Sequence, residues 1–231
     1  MSTRAAKVIN FNREVAFSGS LPPDIRILNP FRSNSEVQAI SEAFYRKFYS
    51  DNQPRKLILG INPGRLGAGA TGIPFTDSKR LGDPCGLETG SLKTHEPSSV
   101  FIYEVIDAMG GPERFYSKYY INSVCPLGFV RKNQKGNWVN CNYYDFPELF
   151  KAVRPFMIEN LQTQARIAGD ASVCFALGKK NARFLETLNQ EAGLFAHIVA
   201  LDHPRYVVQY KSRHMSEYVA TYRRALQAAH D

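Results

Sequence analysis

Residues 57–75 read LILGINPGRLGAGATGIPF. An apolar run of strand length breaks at Gly60 into Asn62-Pro63-Gly64, and glycine returns at 67, 69 and 72 before Pro74 and Phe75. A short continuous apolar run closed by glycine and proline suits a strand buried on both faces. The glycine-rich part matches no common phosphate loop. Gly64, Gly67 and Gly69 miss the G-x-G-x-x-G spacing, and no G-K-[ST] is present. Residues lacking Cβ let a backbone come close to a ligand, while Pro63 and Pro74 stiffen the two ends. Asn62 is left at the strand tip and Phe75 offers a flat apolar ring.

On either side of this segment, strands and helices alternate. SNSEVQAISEAFYRKFYS (33–50) reads as a helix, with Ser33 and Glu36 as a capping box and Val37, Ile40, Phe44 and Phe48 as one stripe. SSVFIYEVIDAMGG (98–111) reads as a second helix, and YYINSVCPLGF (119–129) contains a second strand. GNWVNCNYYD (136–145) shows no period and reads as loop. Pro147 opens a helix to about Ala168 that Pro155 should kink or divide. ASVCFALG (171–178) is a third strand, KKNARFLETLNQEAG (179–193) a helix, and AHIVALDHPR (196–205) a fourth strand running into His203-Pro204. Met215, Tyr218, Val219, Tyr222 and Leu226 give the last segment an apolar face. The pattern predicts an α/β fold: one domain over 1–231, three layers αβα, around a central, mainly parallel four-stranded sheet.

Ligands of open parallel sheets bind outside the carboxyl ends of the strands. Three unusual segments fall there: the glycine segment, NSVCPLGF (122–129) and LDHPR (201–205). The 29 Lys+Arg against 21 Asp+Glu, a net +8, make a polyanionic partner plausible. The four cysteines are far apart and include no C-x-x-C pair, so no metal or cluster is expected and no organic cofactor is implied. Neither a secretory signal nor an apolar run of membrane-spanning length is found, which places the protein in the cytoplasm, away from membranes. A platform, an amide and an imidazole around one cleft suit a nucleobase.

The glycine segment resembles the first motif of the single-strand-selective monofunctional uracil-DNA glycosylases: glycine, an apolar residue, Asn-Pro-Gly, then Thr-Gly-x-Pro-Phe. NSVCPLGF is similar to that family's Asn-x-x-Cys-Pro-Leu strand end, and HPR to the start of its second motif, over roughly residues 55–225. The second motif then departs into YVVQYKSR, as in a divergent bacterial branch. The resemblance implies a monomeric enzyme that hydrolyses the N-glycosidic bond of uracil, and of other deaminated bases, in DNA, associated with the nucleoid in a bacterium. It implies Asn62 as the residue that orients water and His203 as the donor to the departing base. Gly60, Ile61, Phe75 and an asparagine would bind the base. That asparagine is Asn140 or Asn142, with Asn142 preferred because it lies nearer the PEL helix start. Tyr143 or Tyr144 would line the pocket or exclude the thymine methyl. Pro63, Gly64, Gly67, Arg205 and Tyr206 would meet DNA. An inactive nucleic-acid-binding relative and a nucleoside hydrolase are the alternatives.

Overall fold

The computed structural model describes residues 2–230, the Ser33 side chain excepted. Its strands are β1 (Ile25–Leu28), β2 (Arg55–Gly60), β3 (Tyr119–Ser123), β4 (Gly128–Lys132), β5 (Trp138–Cys141), β6 (Gly169–Leu177) and β7 (His197–Leu201). Four of them form a parallel sheet in the order β3-β2-β6-β7. Every residue of the central strand β2 is buried; the apolar Leu57, Ile58 and Leu59 suit a strand covered on both faces, and Arg55 and Lys56 are buried with them. Gly60 lies opposite Ser123, and Leu177 opposite Leu201, so the four carboxyl tips end along one edge. The helix Pro147–Ala168 packs on β2, β3 and β6, and Lys179–Ala192 packs on β6 and β7. Helices Pro97–Ala108 and Met215–Ala228 pack together, and the Tyr119 hydroxyl donates to the Leu226 carbonyl to fasten the last helix to the sheet. This is the αβα arrangement that the alternation implies.

The differences from the sequence reading are local. The segment 136–145 is not all loop: β5 pairs antiparallel with β4, which pairs antiparallel with β1, as a second sheet of three strands. Four- and five-residue strands with half-exposed faces leave too short a pattern to read. Pro155 neither ends nor divides its helix, which runs unbroken from Pro147 to Ala168. Leu149, Val153, Met157 and Leu161 are buried on both sides of it, so packing outweighs one lost backbone bond. The helix Ser35–Phe48 is capped by Asn34, whose side chain accepts from the amides of Glu36 and Val37. A capping side chain of Ser33 lies outside the described residues. Glu36 instead accepts from the Ser91 amide and hydroxyl. A further helix, Pro204–Tyr210, follows β7 where the sequence shows no clear period.

Arg55 opens β2 with a side chain at 0% exposure. Its guanidinium donates to both Asp51 carboxylate oxygens at 2.7 and 2.9 Å and to the Tyr116 and Gln53 carbonyls at 2.6 and 2.8 Å. That donation satisfies acceptors from separate stretches of chain at the amino end of the central strand. Arg55→Ala should therefore cost about 3 kcal/mol of unfolding free energy, the low end for breaking a buried pair because Asp51 stays partly solvated. Chemical denaturation measures it, and a loss below about 1 kcal/mol would show that the network is dispensable.

Candidate active site

At the tip of β2 the chain spends side-chain amides on backbone. Asn62 Oδ1 accepts from the Tyr143 amide at 3.0 Å, and its Nδ2 donates to the Cys141 carbonyl at 3.2 Å. The Asn62 amide thus brackets Asn142, holding residues 141 and 143 on either side of it. Below lies Asn181, fully buried in the first turn of Lys179–Ala192. Its Nδ2 donates to the carbonyls of Leu59 and Gly60 at 3.1 and 3.2 Å, and its Oδ1 accepts from the Tyr143 hydroxyl at 2.9 Å. Two amides therefore lock the strand tip to the 141–143 segment. An amide oxygen has two lone pairs, so Asn62 Oδ1 keeps one for a ligand.

Phe75 crosses this tip. Its ring is buried and lies on Gly60, where a Cβ would come within 2.9 Å of Phe75 Cζ. Gly60 is glycine because the ring occupies the place of its side chain. Phe75 itself holds φ at +53°, a left-handed conformation that costs an L-residue about 1–2 kcal/mol. Its ring centroid lies 6.1 Å from that of His203, with the planes 59° apart.

His203 caps the helix Pro204–Tyr210, its Nδ1 accepting from the Arg205 amide at 3.1 Å. Since that amide can only donate, Nδ1 carries no proton, and a neutral ring must carry its proton on Nε2. Burial first, and then the Arg205 charge, push the imidazole down to about 4, although the residue keeps some exposure. At neutral pH His203 is an uncharged ring with one N–H free of the cap.

The other expected residues take varied places. Asn142 is half-buried, its amide nitrogen 3.3 Å from Asp145 Oδ1 and its backbone N–H donating to Asp145 Oδ2. Asn140 is exposed on β5, and its Oδ1 accepts from the Arg65 amide at 3.1 Å, so it is a strut for the glycine loop. Tyr143 is a core strut through Asn181. Tyr144 stacks on Phe184 at 5.1 Å, and Lys180 Nζ lies 4.5 Å from the centroid of the same tyrosine ring. The carbonyls of Gly60 and Ile61 accept from Val124 and Cys125, extending the sheet beyond the strand ends. Pro63 and Gly67, expected on the DNA-facing surface, are both buried. The Gly67 amide turns inward to the Gly64 carbonyl, which also takes the Gly69 amide. Arg205 and Tyr206 are exposed at the rim. Sequence reading missed Asn181, whose only signal is an asparagine two residues into a lysine-led helix start. It also passed over Leu66 and Tyr210, which with Tyr206 are the large apolar side chains left exposed among the described residues.

The four cysteines are all buried as free thiols, with burial pushing Cys125 up to about 12. Among the described residues no group of three His, Cys, Asp or Glu could hold a metal ion, and no helix is long and apolar enough to cross a membrane.

Comparison with known proteins supports the fold. The profile of the Uracil DNA glycosylase superfamily matches residues 46–227. The crystal structure of wild-type SMUG2 from Pedobacter heparinus is 50% identical, covers 100% of this chain and 99% of its own, and superposes with a TM-score of 0.95. A comparison with curated proteins returned no match.

Because the folded pKa of His203 lies below its ordinary 6.5, the folded chain binds fewer protons there than the unfolded chain. Its contribution to stability is present above about 6.5 and is lost as the pH falls toward about 4. NMR titration of the imidazole Cε1–H should accordingly find His203 neutral down to about pH 5. A midpoint near 6.5 would show the ring to be solvated and the tautomer unfixed.

Proposed function

The chain belongs to the Uracil DNA glycosylase superfamily, and on that premise we propose that it is a monofunctional DNA glycosylase that removes uracil, with other deaminated bases, by hydrolysis. The observation that carries the reading is the trio at the sheet edge: the braced Asn62 amide, the Phe75 ring and the neutral His203 ring with its proton on Nε2. A base taken out of the stack would lie on Phe75, with Asn142 reading its polar edge. As the C1′–N bond breaks, its electron pair moves to the base, and the Nε2–H of His203 donates to the oxygen where negative charge collects. A neutral donor suits this step, since it stabilises the charge without giving up its proton. Asn62 is no base, but its amide can hold a water against C1′ while the sugar carries oxocarbenium character. Water adds to C1′, its proton leaves to solvent, and the products are the free base and an abasic site.

Arg205, Tyr206, Tyr210 and Leu66 stand exposed at the rim, and Tyr206 and Tyr210 pack against one another at 5.6 Å. Apolar rings and a guanidinium at the mouth of a cleft suit filling the gap that an extruded base leaves. Arg65, Lys180 and Arg213 are also exposed and contribute to the net charge of +8. A polymer substrate should therefore bind with steep salt dependence, whereas a neutral nucleoside would be indifferent to salt.

The reading is tested with labelled oligonucleotides carrying uracil, hypoxanthine, xanthine or mismatched thymine, followed by alkaline cleavage of abasic sites. Asn62→Ala should slow single-turnover uracil excision by at least about 10²-fold while leaving DNA affinity close to that of the wild type. His203→Asn restores a helix cap without a ring donor, so it should keep stability yet lose about 10²–10³ in rate. Near-normal cleavage by either variant removes that residue's role. Base extrusion costs a few kcal/mol in a duplex and less in a single strand. Excision from single strands and mismatches should therefore outpace excision from a uracil–adenine pair. Arg205→Ala and Tyr206→Ala should widen that difference, and His203→Ala should slow all substrates by a similar factor.

A further inference from the structure

One acidic side chain beside this site has no assigned task. Glu96 precedes the helix Pro97–Ala108, and its Oε2 is sealed from solvent without a hydrogen-bond partner. The carboxyl lies flat against Gly67: a Cβ there would fall within 2.5 Å of Cδ, Oε1 and Oε2 of Glu96. Gly67 is thus glycine because Glu96 fills the volume of a side chain. From within, the loop is held by the amides of Gly67 and Gly69 on the Gly64 carbonyl and by Thr71 on that of Gly67. From the β5 side it is held by Asn140 on the Arg65 amide. Glu96 supports it from the remaining side.

We infer that Glu96 is a positioning residue, whose carboxyl fills the space beneath Gly67 and keeps the Asn62-bearing loop in its working shape. The inference rests on the reading that Asn62 carries the chemistry. Its consequence is a dependence on pH. The charges that act on Glu96 are Asp77, which caps the short helix Ser78–Gly82, and Arg205 at the start of Pro204–Tyr210, while Arg80 and His95 lie against Asp77. Asp77 stays ionised despite its burial, held low by the amides of Glu96 and Arg80, the Arg80 charge and the Ser99 hydroxyl. Burial, then the Asp77 charge, push Glu96 up to about 8, against the pull of Arg205. Below that pH the acid is neutral and tolerates its sealed position. Above it, a carboxylate with an unpartnered oxygen is costly to keep buried. It is drawn outward toward Arg205 and water, and the loop loses its support.

The folded chain holds a proton on Glu96 that the unfolded chain, at an ordinary 4.5, has released. Stability therefore falls as the pH rises from about 4.5 to about 8. Glu96→Gln keeps the shape and the neutral charge and removes the titration, whereas Glu96→Ala removes the support.

Two measurements from about pH 7 to about pH 9 test this in the full chain. The first is limited trypsin cleavage after the exposed Arg65, read by mass spectrometry and normalised to a free peptide at each pH. The wild type should become several-fold more susceptible as the pH rises, Glu96→Gln should stay protected, and Glu96→Ala should be susceptible throughout. The second is single-turnover excision of uracil from a single strand, which should fall about tenfold for the wild type and remain level for Glu96→Gln. A Glu96→Gln variant that follows the wild-type pH profile, or behaves as Glu96→Ala does, overturns the inference. So does Glu96→Ala cleaved no faster than the wild type. The proteolysis needs no activity, so a chain that shows the expected protection yet excises nothing contradicts the glycosylase reading and leaves the role of Glu96 standing.

Discussion

The structure of the site depends on side-chain amides that substitute for backbone at the end of β2. Backbone groups buried at the end of a strand need partners, and leaving one unpaired costs about 1–3 kcal/mol. Asn181 answers the carbonyls of Leu59 and Gly60, and Asn62 answers the Cys141 carbonyl and the Tyr143 amide. Tyr143 closes the circuit through its hydroxyl on Asn181. The bonds interlock, with the Gly60 carbonyl also taking the Val124 amide, so loosening one side chain disturbs the contacts of the others. That mutual dependence is what makes the strand tip rigid enough to hold a reactive geometry.

The second sheet gives this tip its far wall. β4 and β5 deliver Cys141 to Asn62 and Asn140 to the glycine loop, and β1 covers their other edge. Gly128 opens β4 directly against the Pro63 carbonyl, whose oxygen occupies the place a Cβ would take, so the two segments approach closer than any side chain allows. The glycine loop is therefore clamped between the small sheet on one side and Glu96 on the other. Its glycines serve this internal fit at Gly67 and Gly69 at least as much as any approach to a ligand.

Charge is arranged in two tiers. Outside, Arg65, Lys180, Arg205 and Arg213 leave the rim positive. Inside, the strand tip presents amides, aromatic rings and an imidazole held well below its ordinary range by burial, with the Asp145 carboxylate on Asn142 at the margin.

How much of this was legible differs from residue to residue. The alternation of apolar runs with helical segments determined the parallel sheet, and the composition of 57–75 marked its functional edge, because hydrophobic period and backbone freedom are local properties. The family resemblance of that segment pointed to Asn62 and Phe75, and that of the HPR motif to His203, and the fold brings the three to one edge. Between Asn140 and Asn142, sequence position supported a preference for Asn142 and nothing about their bonds. Both lie in one short segment, and only the pairing of β4 with β5 turns Asn140 to the Arg65 amide while Asn62 brackets Asn142. Asn181 and Glu96 were equally silent, 119 and 34 positions along the chain from Asn62 by their numbers. An asparagine or a glutamate in a sequence is a polar residue like many others. It becomes a brace or a support only when tertiary packing buries it against backbone from a distant part of the chain.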